Sequence, residues 1–402
     1  MASFFNLRRV RLFRAHSRRW QRRGVFMVGG LLVGVAAVLL AFGADGAQHL
    51  FREFLRIAPY GAFVATPLGF ALCTWIGRRF FPNTQGSGIP QVIVARALDT
   101  VEERKAFVGH RVAIGKMVLT LLGLLFGAST GREGPTVQVG ASVMAWVGGL
   151  SPRLQPGLIL AGASAGVAAA FNTPLAGIVF GIEEMSRSFE IRTSGLIIAA
   201  VILAGLTAQA VLGNYTYFGT THAVLDFGTA WIVVPVLGVL GGVLGGIFSR
   251  ILIAFADGLP GRIGGWIKRH PFAFAAICGL GVAFCGYASD GAAFGTGYTN
   301  ARGALHGGHA LPLLFLPLKF LATILSSISG IAGGIFAPSL SIGAGLGSDL
   351  EKLFPNVAPG SLVLIGMVSY FTGVVRAPIT GFVIVSEMTD NHGLVVPLMA
   401  AA

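Results

Sequence analysis

The 402-residue chain carries one set of sequence markers twice, at a spacing of 203 to 204 residues. The clearest markers are Gly131–Pro135, which reads GREGP, and Gly334–Pro338, which reads GIFAP; each is followed after four residues by Gly-Ala. The other matching pairs are Lys116 and Lys319, Pro174–Gly177 and Pro378–Gly381, and Glu183 and Glu387. A weaker echo, at a different spacing of 209 residues, pairs Gly86–Gly88 with Gly295–Gly297. Chance likeness among glycine-rich helices is a poor explanation for so many pairs. The repeat predicts two halves with one architecture.

The repeated markers lie in strongly apolar sequence. The chain is 54% hydrophobic and 11% charged, whereas soluble domains are about 25% charged. A membrane-spanning helix needs about 20 apolar residues, and many of the apolar runs here are shorter. We therefore predict an all-α polytopic membrane protein of short, tilted and broken helices, with repeats at 24–213 and 214–402 and no soluble domain. Such repeats place a substrate site at their interface near the bilayer midplane.

Residues 1–23 contain eight arginines and no acidic residue, directly before the first apolar run. By the positive-inside rule this basic segment is cytoplasmic, and we expect it to lie on anionic lipid headgroups. A nucleic-acid-binding arm is the alternative. The first run lacks a signal-peptidase site, which favours a retained helix. For a compact chain without soluble domains, we expect a bacterial inner-membrane location.

Three Gly/Pro motifs interrupt the apolar runs: Gly86–Pro90 (GSGIP), Gly131–Pro135 and Gly334–Pro338. Each places a proline where a helix begins, a position that proline favours. Free backbone N–H groups and the helix dipole make such a start an anion site. Exposed backbone at membrane depth is tolerated only where it is buried or lines a cavity. Three such starts predict weak anion binding suited to transport, with tight helix packing as the alternative.

Glu133 lies inside the second motif, where a carboxylate at membrane depth is costly and by default functional. When ionised it is able to occupy the anion's own position, and when protonated it is able to leave. It is therefore a candidate gate and proton acceptor. The alternative is a structural acid paired with Arg132.

Glu183 and Glu184 are adjacent at the end of an apolar segment. Neighbouring helical residues point about 100° apart, which predicts different roles for the two. Because Glu183 has a repeat mate in Glu387, we expect it to tie a helix end. Glu184 has no mate. The alternative is that both acids pair with Arg187.

Other chemistry finds little support in the sequence. His306 and His309 lack a further metal ligand nearby, and Cys73, Cys278 and Cys285 lie in apolar runs without metal-ligand spacing. No nucleophile–base set stands out. We predict no enzyme, no metal, no cofactor and no nucleic-acid partner.

The motifs GSGIP, GREGP and GIFAP, in this order and spacing, resemble the anion-binding signatures of the CLC chloride channel/transporter family, from about residue 24 to the C-terminus. The resemblance implies two inverted repeats, a homodimer with one pore per subunit, and chloride and protons as substrates. It implies that Glu184 is the internal proton relay typical of exchangers, and that Ser87 favours chloride over nitrate. The implied anion-binding residues are Gly86, Ser87, Arg132, Glu133, Gly134, Ile335, Phe336 and Ala337.

The sequence departs from the family at its end. We expect the final family helix and its anion-binding tyrosine to be absent, since Tyr370 is too early to match, and the cytoplasmic regulatory domains of many members to be absent too. Proton-coupled chloride antiport is the leading hypothesis. A passive chloride channel of the same fold and a non-transporting membrane scaffold stay open, while three positive helix ends disfavour a cation transporter.

Overall fold

The structure, a computed structural model, describes residues 2–150, 154–185, 194–213, 216–225, 227–306, 311–312, 314–354 and 357–402. These ranges fold into α-helices joined by short connectors. The first nine are α1 (Ala2–Ile57), α2 (Ala62–Phe80), α3 (Ile89–Ala97), α4 (Val101–Val108), α5 (His110–Leu125), α6 (Glu133–Val147), α7 (Gln155–Phe171), α8 (Pro174–Glu183) and α9 (Ser194–Leu212). The next nine are α10 (Val233–Asp257), α11 (Gly261–Arg269), α12 (Pro271–Ala288), α13 (Tyr298–Leu305), α14 (Phe315–Ile328), α15 (Phe336–Glu351), α16 (Ser361–Val375), α17 (Pro378–Thr389) and α18 (Val395–Ala401).

Many of the helices are too short to cross a bilayer. Within the described residues, five helical stretches have the length and hydropathy of a membrane span: Trp20–Ile57, Val101–Leu125, Gly195–Leu212, Val233–Asp257 and Pro271–Ala288. The repeated markers lie mainly on shorter helices, including α8, α14 and α17, or at the starts of α6 and α15. The short and broken helices predicted from the sequence are therefore present.

The first helix is longer than its apolar run. The sequence predicts a segment at about 24–43, but α1 continues without a break from Ala2 to Ile57 and includes the basic segment. Asp45, Gln48 and Arg52 lie on α1 beyond the apolar run and line a cavity. Hydropathy alone ends the helix too early, since it reads such residues as a loop.

Glycines at matching positions let helices cross closely in both repeats. A Cβ atom on Gly140 of α6 would collide with the carbonyl of Gly162 on α7, and a Cβ on Gly343 of α15 would collide with that of Gly366 on α16. Close backbone approach through small residues is a common device in membrane proteins. Tight packing through glycine is therefore present, and it holds α6, which begins at GREGP, against α7, and α15, which begins at GIFAP, against α16.

Two glutamates join the repeats reciprocally. The Glu183 carboxylate at the end of α8 accepts the backbone N–H groups of Ile379 (3.0 Å) and Thr380 (2.6 Å) at the start of α17. The Glu387 carboxylate near the end of α17 accepts those of Leu175 (3.1 Å) and Ala176 (2.9 Å) at the start of α8. The two helices therefore run antiparallel, as inverted repeats require, and the predicted helix-tying role of Glu183 is confirmed.

Candidate anion-binding and gating site

Backbone hydrogen bonds join the three Gly/Pro motifs in one place. Gly131 and Gly334 exchange two hydrogen bonds, each of 2.7 Å from nitrogen to oxygen. Gly86 donates to the Ile331 carbonyl at 2.9 Å and accepts from Gly333 at 3.0 Å. The loops that precede α3, α6 and α15 are consequently fixed to one another across the repeat boundary.

The three helices begin at this junction. Helix α3 starts after Gly88, whose φ of 95° lies in the left-handed region, which glycine adopts without steric cost. Ser87 lies against Gly134 near the start of α6: a Cβ on Gly134 would be 3.2 Å from both the Ser87 Cβ and the Gly334 Cα. The first turns of α3, α6 and α15 leave backbone N–H groups unpaired within each helix, and their partial positive charge favours an anion here.

A buried lysine supports the first loop. Lys116 on α5 has no exposed surface, and its amino group donates to the carbonyl oxygens of Thr84 (2.8 Å) and Gly86 (2.6 Å). Its repeat mate Lys319 donates in the same way to the Gly295 carbonyl at 2.7 Å. Because Lys116 engages the carbonyl oxygens, the loop holds its opposite face, with Ser87, against α6.

Glu133 is the first residue of α6 and is fully buried. The Tyr217 hydroxyl donates a hydrogen bond of 3.1 Å to its Oε1 atom. Its Oε2 atom lies against Gly131, where a Cβ would collide with it, and has no hydrogen-bond partner in the described residues. The Ala337 backbone N–H also interacts with this carboxylate. The carboxylate thus occupies the junction of α6 and α15.

Arg132 is tied to α1. Its Nη1 atom donates to the Ala41 carbonyl at 2.8 Å and to the Asp45 carboxylate at 2.9 Å. Within the described residues its salt bridge is to Asp45 and not to Glu133. The hypothesis of a structural acid paired with Arg132 therefore lacks the ion pair it requires.

A cavity of about 400 Å³ opens next to this pair, on the side where α1 ends. Its lining is polar and mixed in charge and includes Asp45, Gln48, Arg52, Arg132, Tyr217, Thr296, Tyr298 and Thr299. Tyr217 lines the cavity and also contacts Glu133. Tyr217 therefore stands between the cavity and the gate candidate.

Aromatic rings extend from Glu133 toward α8. Phe336, the first residue of α15, stacks on Phe171 with centroids 6.3 Å apart and meets Phe180 edge-on at 6.1 Å. Tyr217 meets Phe171 edge-on at 5.5 Å. This cluster is apolar except for the tyrosine hydroxyl, and it separates Glu133 from the end of α8.

Glu184 immediately follows α8, four residues after Phe180, and is half-buried. Unlike Glu183, its carboxylate has no hydrogen bond or ion pair among the described residues. Arg187, the partner in the alternative hypothesis, lies outside the described residues. The two adjacent acids thus differ in environment, as their 100° separation predicts.

The family model described as "Voltage gated chloride channel" matches residues 69–402. The chain belongs to the CLC family of chloride channels and transporters. It is 33% identical over 427 residues to the "H(+)/Cl(-) exchange transporter ClcA" of Yersinia pestis bv. Antiqua (strain Angola), covering 98% of this chain and 86% of the relative. The Salmonella paratyphi A (strain ATCC 9150 / SARB42) protein of that name is 32% identical and covers 92% of this chain and 82% of the relative.

Solved CLC structures share the fold. A structure described as "a slow cyanobacterial Cl-/H+ antiporter" superposes with a TM-score of 0.80 at 28% identity, covering 95% of this chain and 92% of that one. "A CLC-type fluoride/proton antiporter" also gives 0.80, at 24% identity, over 94% of this chain and 93% of that one; at this identity it shows the fold alone. Like its family, the chain is a multi-pass integral membrane protein.

The site contains a residue that the motif analysis does not single out. Tyr217 lies in the connector between α9 and α10, outside every repeated marker. The sequence signal for it is an aromatic pair, Tyr217-Phe218, in the connector between two apolar helices. Asp45 and Gln48 were missed for a different reason, since they fell beyond the apolar run that defined the first segment.

The histidines and cysteines that the sequence does not assign to a metal site have the following surroundings in the structure. The Nε2 atom of His306 is 2.8 Å from the Phe218 carbonyl oxygen, and His309 lies outside the described residues. Cys73, Cys278 and Cys285 are buried free thiols. In the part of the chain that the structure describes, no group of three or more His, Cys, Asp and Glu side chains is placed to hold a metal.

Proposed function

We propose that this protein is a proton-coupled chloride antiporter in which Glu133 is both the gate and a proton acceptor. The observation that carries the proposal is the fully buried Glu133 carboxylate at the start of α6, where the three Gly/Pro motifs are joined. An ionised carboxylate at that position competes with an anion for the same N–H groups. Protonation removes the charge, which frees the carboxyl to leave and the anion to enter.

The anion site is proposed at the same junction. The Ser87 hydroxyl and the backbone N–H groups of Ile335 and Phe336 bind the central anion, and Gly86 lies on the side nearer the cytoplasm. The backbone of Arg132, Gly134 and Ala337 frames the outer position. The packing of Ser87 against Gly134 and the Gly131–Gly334 hydrogen bonds support this assignment.

Glu184 is the proposed internal proton relay. It is half-buried at the end of α8, and its carboxylate makes no hydrogen bond or ion pair with another described residue. Glu183, by contrast, holds the start of α17. The relatives named H(+)/Cl(-) exchange transporters support antiport over a passive channel.

The membrane setting completes the proposal. Residues 1–23 lie on the cytoplasmic side of a bacterial inner membrane, against anionic headgroups, and residues 24–213 and 214–402 form the two repeats. The cavity beside Arg132 then opens to the outside. The protein is a homodimer with one pore per subunit, and it needs no cofactor beyond its substrates, chloride and protons.

The test is a simultaneous record of chloride efflux and proton uptake in liposomes that contain the purified protein and a chloride gradient. We expect the wild-type protein to drive protons uphill. Glu133→Ala and Glu184→Ala should each lower proton uptake at least tenfold while chloride still moves, because the anion path remains after the carboxylate is gone.

Glu102→Ala is the matched control, since Glu102 is an exposed acid on α4 away from the junction; its coupling should equal that of the wild type. Chloride flux without proton movement in the wild-type protein would establish a passive channel. Absence of both fluxes, with the folded protein present in the vesicles, would reject transport and favour a scaffold.

A further inference from the structure

We propose that Tyr217 is a positioning residue that holds the Glu133 carboxylate in the anion path and thereby sets the acidity at which the gate opens. This inference rests on the proposed function, because it assigns a device that regulates the same gate. It follows from the contact of one buried hydroxyl with one buried carboxylate.

The contact joins two side chains that are far apart in sequence. Tyr217 is 3% exposed and Glu133 is fully buried, and the phenol oxygen lies 3.1 Å from Oε1. An ionised carboxylate only accepts hydrogen bonds, so the tyrosine is the donor. A hydrogen bond to a charged acceptor is roughly twice as strong as one between neutral groups. The contact therefore favours the ionised, seated form of Glu133 over the protonated form.

Packing fixes the tyrosine from three sides. Its ring meets Phe171, Phe218 and Tyr298 edge-on, with centroids 5.5, 5.2 and 4.8 Å apart. Each such aromatic pair adds stability beyond the area it buries. A ring held in this way is unable to follow the carboxylate when it moves, so the hydrogen bond breaks as the gate opens.

The backbone around Tyr217 is also anchored. The Phe218 N–H donates to the Met388 carbonyl at 3.1 Å, and the Thr221 N–H donates to the Thr389 carbonyl at 3.1 Å. Both carbonyls belong to the last turn of α17. The connector between α9 and α10 is thus attached to the second repeat and carries the hydroxyl to a carboxylate of the first.

Tyr217 is one of several groups that face Glu133. Arg132 directly precedes Glu133 at the start of α6 and is paired with Asp45 of α1. The Ala337 N–H approaches Glu133 from α15. These groups remain when the tyrosine hydroxyl is removed, so a change caused by its loss is attributable to the hydroxyl. Tyr217, Arg132 and Asp45 all line the cavity, through which protons reach the gate in the proposed orientation, and the Tyr217 hydroxyl is hydrogen-bonded to Glu133.

The experiment compares chloride efflux from liposomes containing wild-type protein or Tyr217→Phe over a series of external pH values. The phenylalanine keeps the ring packing and removes the hydroxyl. We expect the pH of half-maximal flux to rise by about one unit, because losing a charge-assisted hydrogen bond shifts the gate equilibrium on the order of tenfold toward the protonated form. The chloride-to-proton ratio should stay that of the wild type.

Tyr370→Phe is the matched control. Tyr370 is equally buried, and its ring packs with Phe248 and Phe320 in a separate cluster, so its pH profile should match the wild type. In a Glu133→Gln background, Tyr217→Phe should cause no further change. A shift that persists in that background would overturn the proposal, as would superimposable wild-type and Tyr217→Phe profiles.

A substitution that strengthens the hydrogen bond distinguishes its loss from a general loss of packing around position 217. Incorporation of 3-fluorotyrosine at position 217 keeps the hydroxyl but makes it a stronger donor, so the half-maximal pH should fall below that of the wild type. A rise in both variants would indicate damage to the site and would overturn the proposal. Wild-type protein without coupled flux would reject the proposed function itself, whereas coupled wild-type flux with unchanged variants rejects only the role of Tyr217.

Discussion

The starts of α6 and α15 occupy equivalent positions in the two repeats but carry different side chains. Gly131 and Gly334 precede them and share a symmetric pair of 2.7 Å hydrogen bonds. Glu133 opens α6, and the residue 203 positions later, Phe336, opens α15. The backbone that favours an anion is therefore present twice, whereas the ionisable group is present once. The comparison shows that one side chain, Glu133, distinguishes two otherwise similar helix starts, and in the proposed function that residue is the gate.

The loops before α3 and α13 are likewise similar in backbone contacts and different in surroundings. The Ile89 N–H lies 3.4 Å from the Ser87 hydroxyl oxygen, and the Tyr298 N–H lies 3.4 Å from that of Thr296. Thr296 also donates to the Gln48 side chain of α1 through its N–H (3.0 Å) and its hydroxyl (3.2 Å). The second loop thus packs against α1, while the first lies at the proposed anion site.

The largest expected effect comes from the buried lysines, Lys116 and Lys319. Replacing either lysine with methionine removes two hydrogen bonds from its amino group to loop carbonyls, at about 1.5–3 kcal/mol for each bond. We expect Lys116→Met and Lys319→Met to destabilise the protein by a similar amount, about 3 kcal/mol. Only Lys116→Met should also weaken chloride binding, because its loop carries Ser87.

Thermal unfolding in detergent and a calorimetric chloride titration measure these two effects separately. Lys105→Met is the control, since Lys105 is exposed on α4, and it should change neither quantity. An equal loss of chloride affinity in both lysine variants would contradict the functional difference between the loops.

Motif spacing predicted this scaffold well. GSGIP, GREGP and GIFAP each lie where a helix begins, and the paired lysines and paired glutamates make equivalent bonds in the two halves. Such features can be predicted from sequence because each requires a particular residue type at one position. Close backbone approach requires glycine, the first helical turn favours proline, and a helix end is bound by a carboxylate. Because most of these features occur twice at nearly the same spacing, each occurrence supports the prediction made for the other.

The parts that sequence reasoning missed depend on distant contacts. The Tyr217 hydroxyl meets Glu133 across 84 positions, and no local pattern marks such a pair. Helix α1 continues through Asp45 and Gln48, which line a cavity that the fold creates, and hydropathy does not mark such polar residues as part of a membrane helix. The nine residues of helix α11, with three glycines and three basic residues, lack an apolar run, so hydropathy does not predict this helix.

An intermediate effect is expected at the reciprocal glutamates. Glu183→Gln and Glu387→Gln each remove one negative charge that accepts two N–H groups at a helix start. We expect each variant to lose about 2 kcal/mol of stability, measured by unfolding in detergent, because the two bonds are equivalent. The chloride-to-proton ratio should be unaffected by both. A lower coupling ratio in Glu183→Gln alone would show that Glu183 shares the proton path with Glu184.

The smallest effect separates Ser87 from its mate Thr296. Ser87→Ala removes one hydroxyl from the proposed anion site, where backbone N–H groups remain, so chloride affinity should fall about tenfold, equivalent to about 1.4 kcal/mol. Thr296→Val keeps the side-chain volume and leaves Gln48 its bond to the Thr296 N–H, so affinity should be unchanged. A calorimetric titration of both variants decides the matter. Equal losses of chloride affinity would mean that both loops contact the anion. A loss in Ser87→Ala alone would mean that the loop before α13 has a structural role, and that the second repeat binds the anion only through the start of α15.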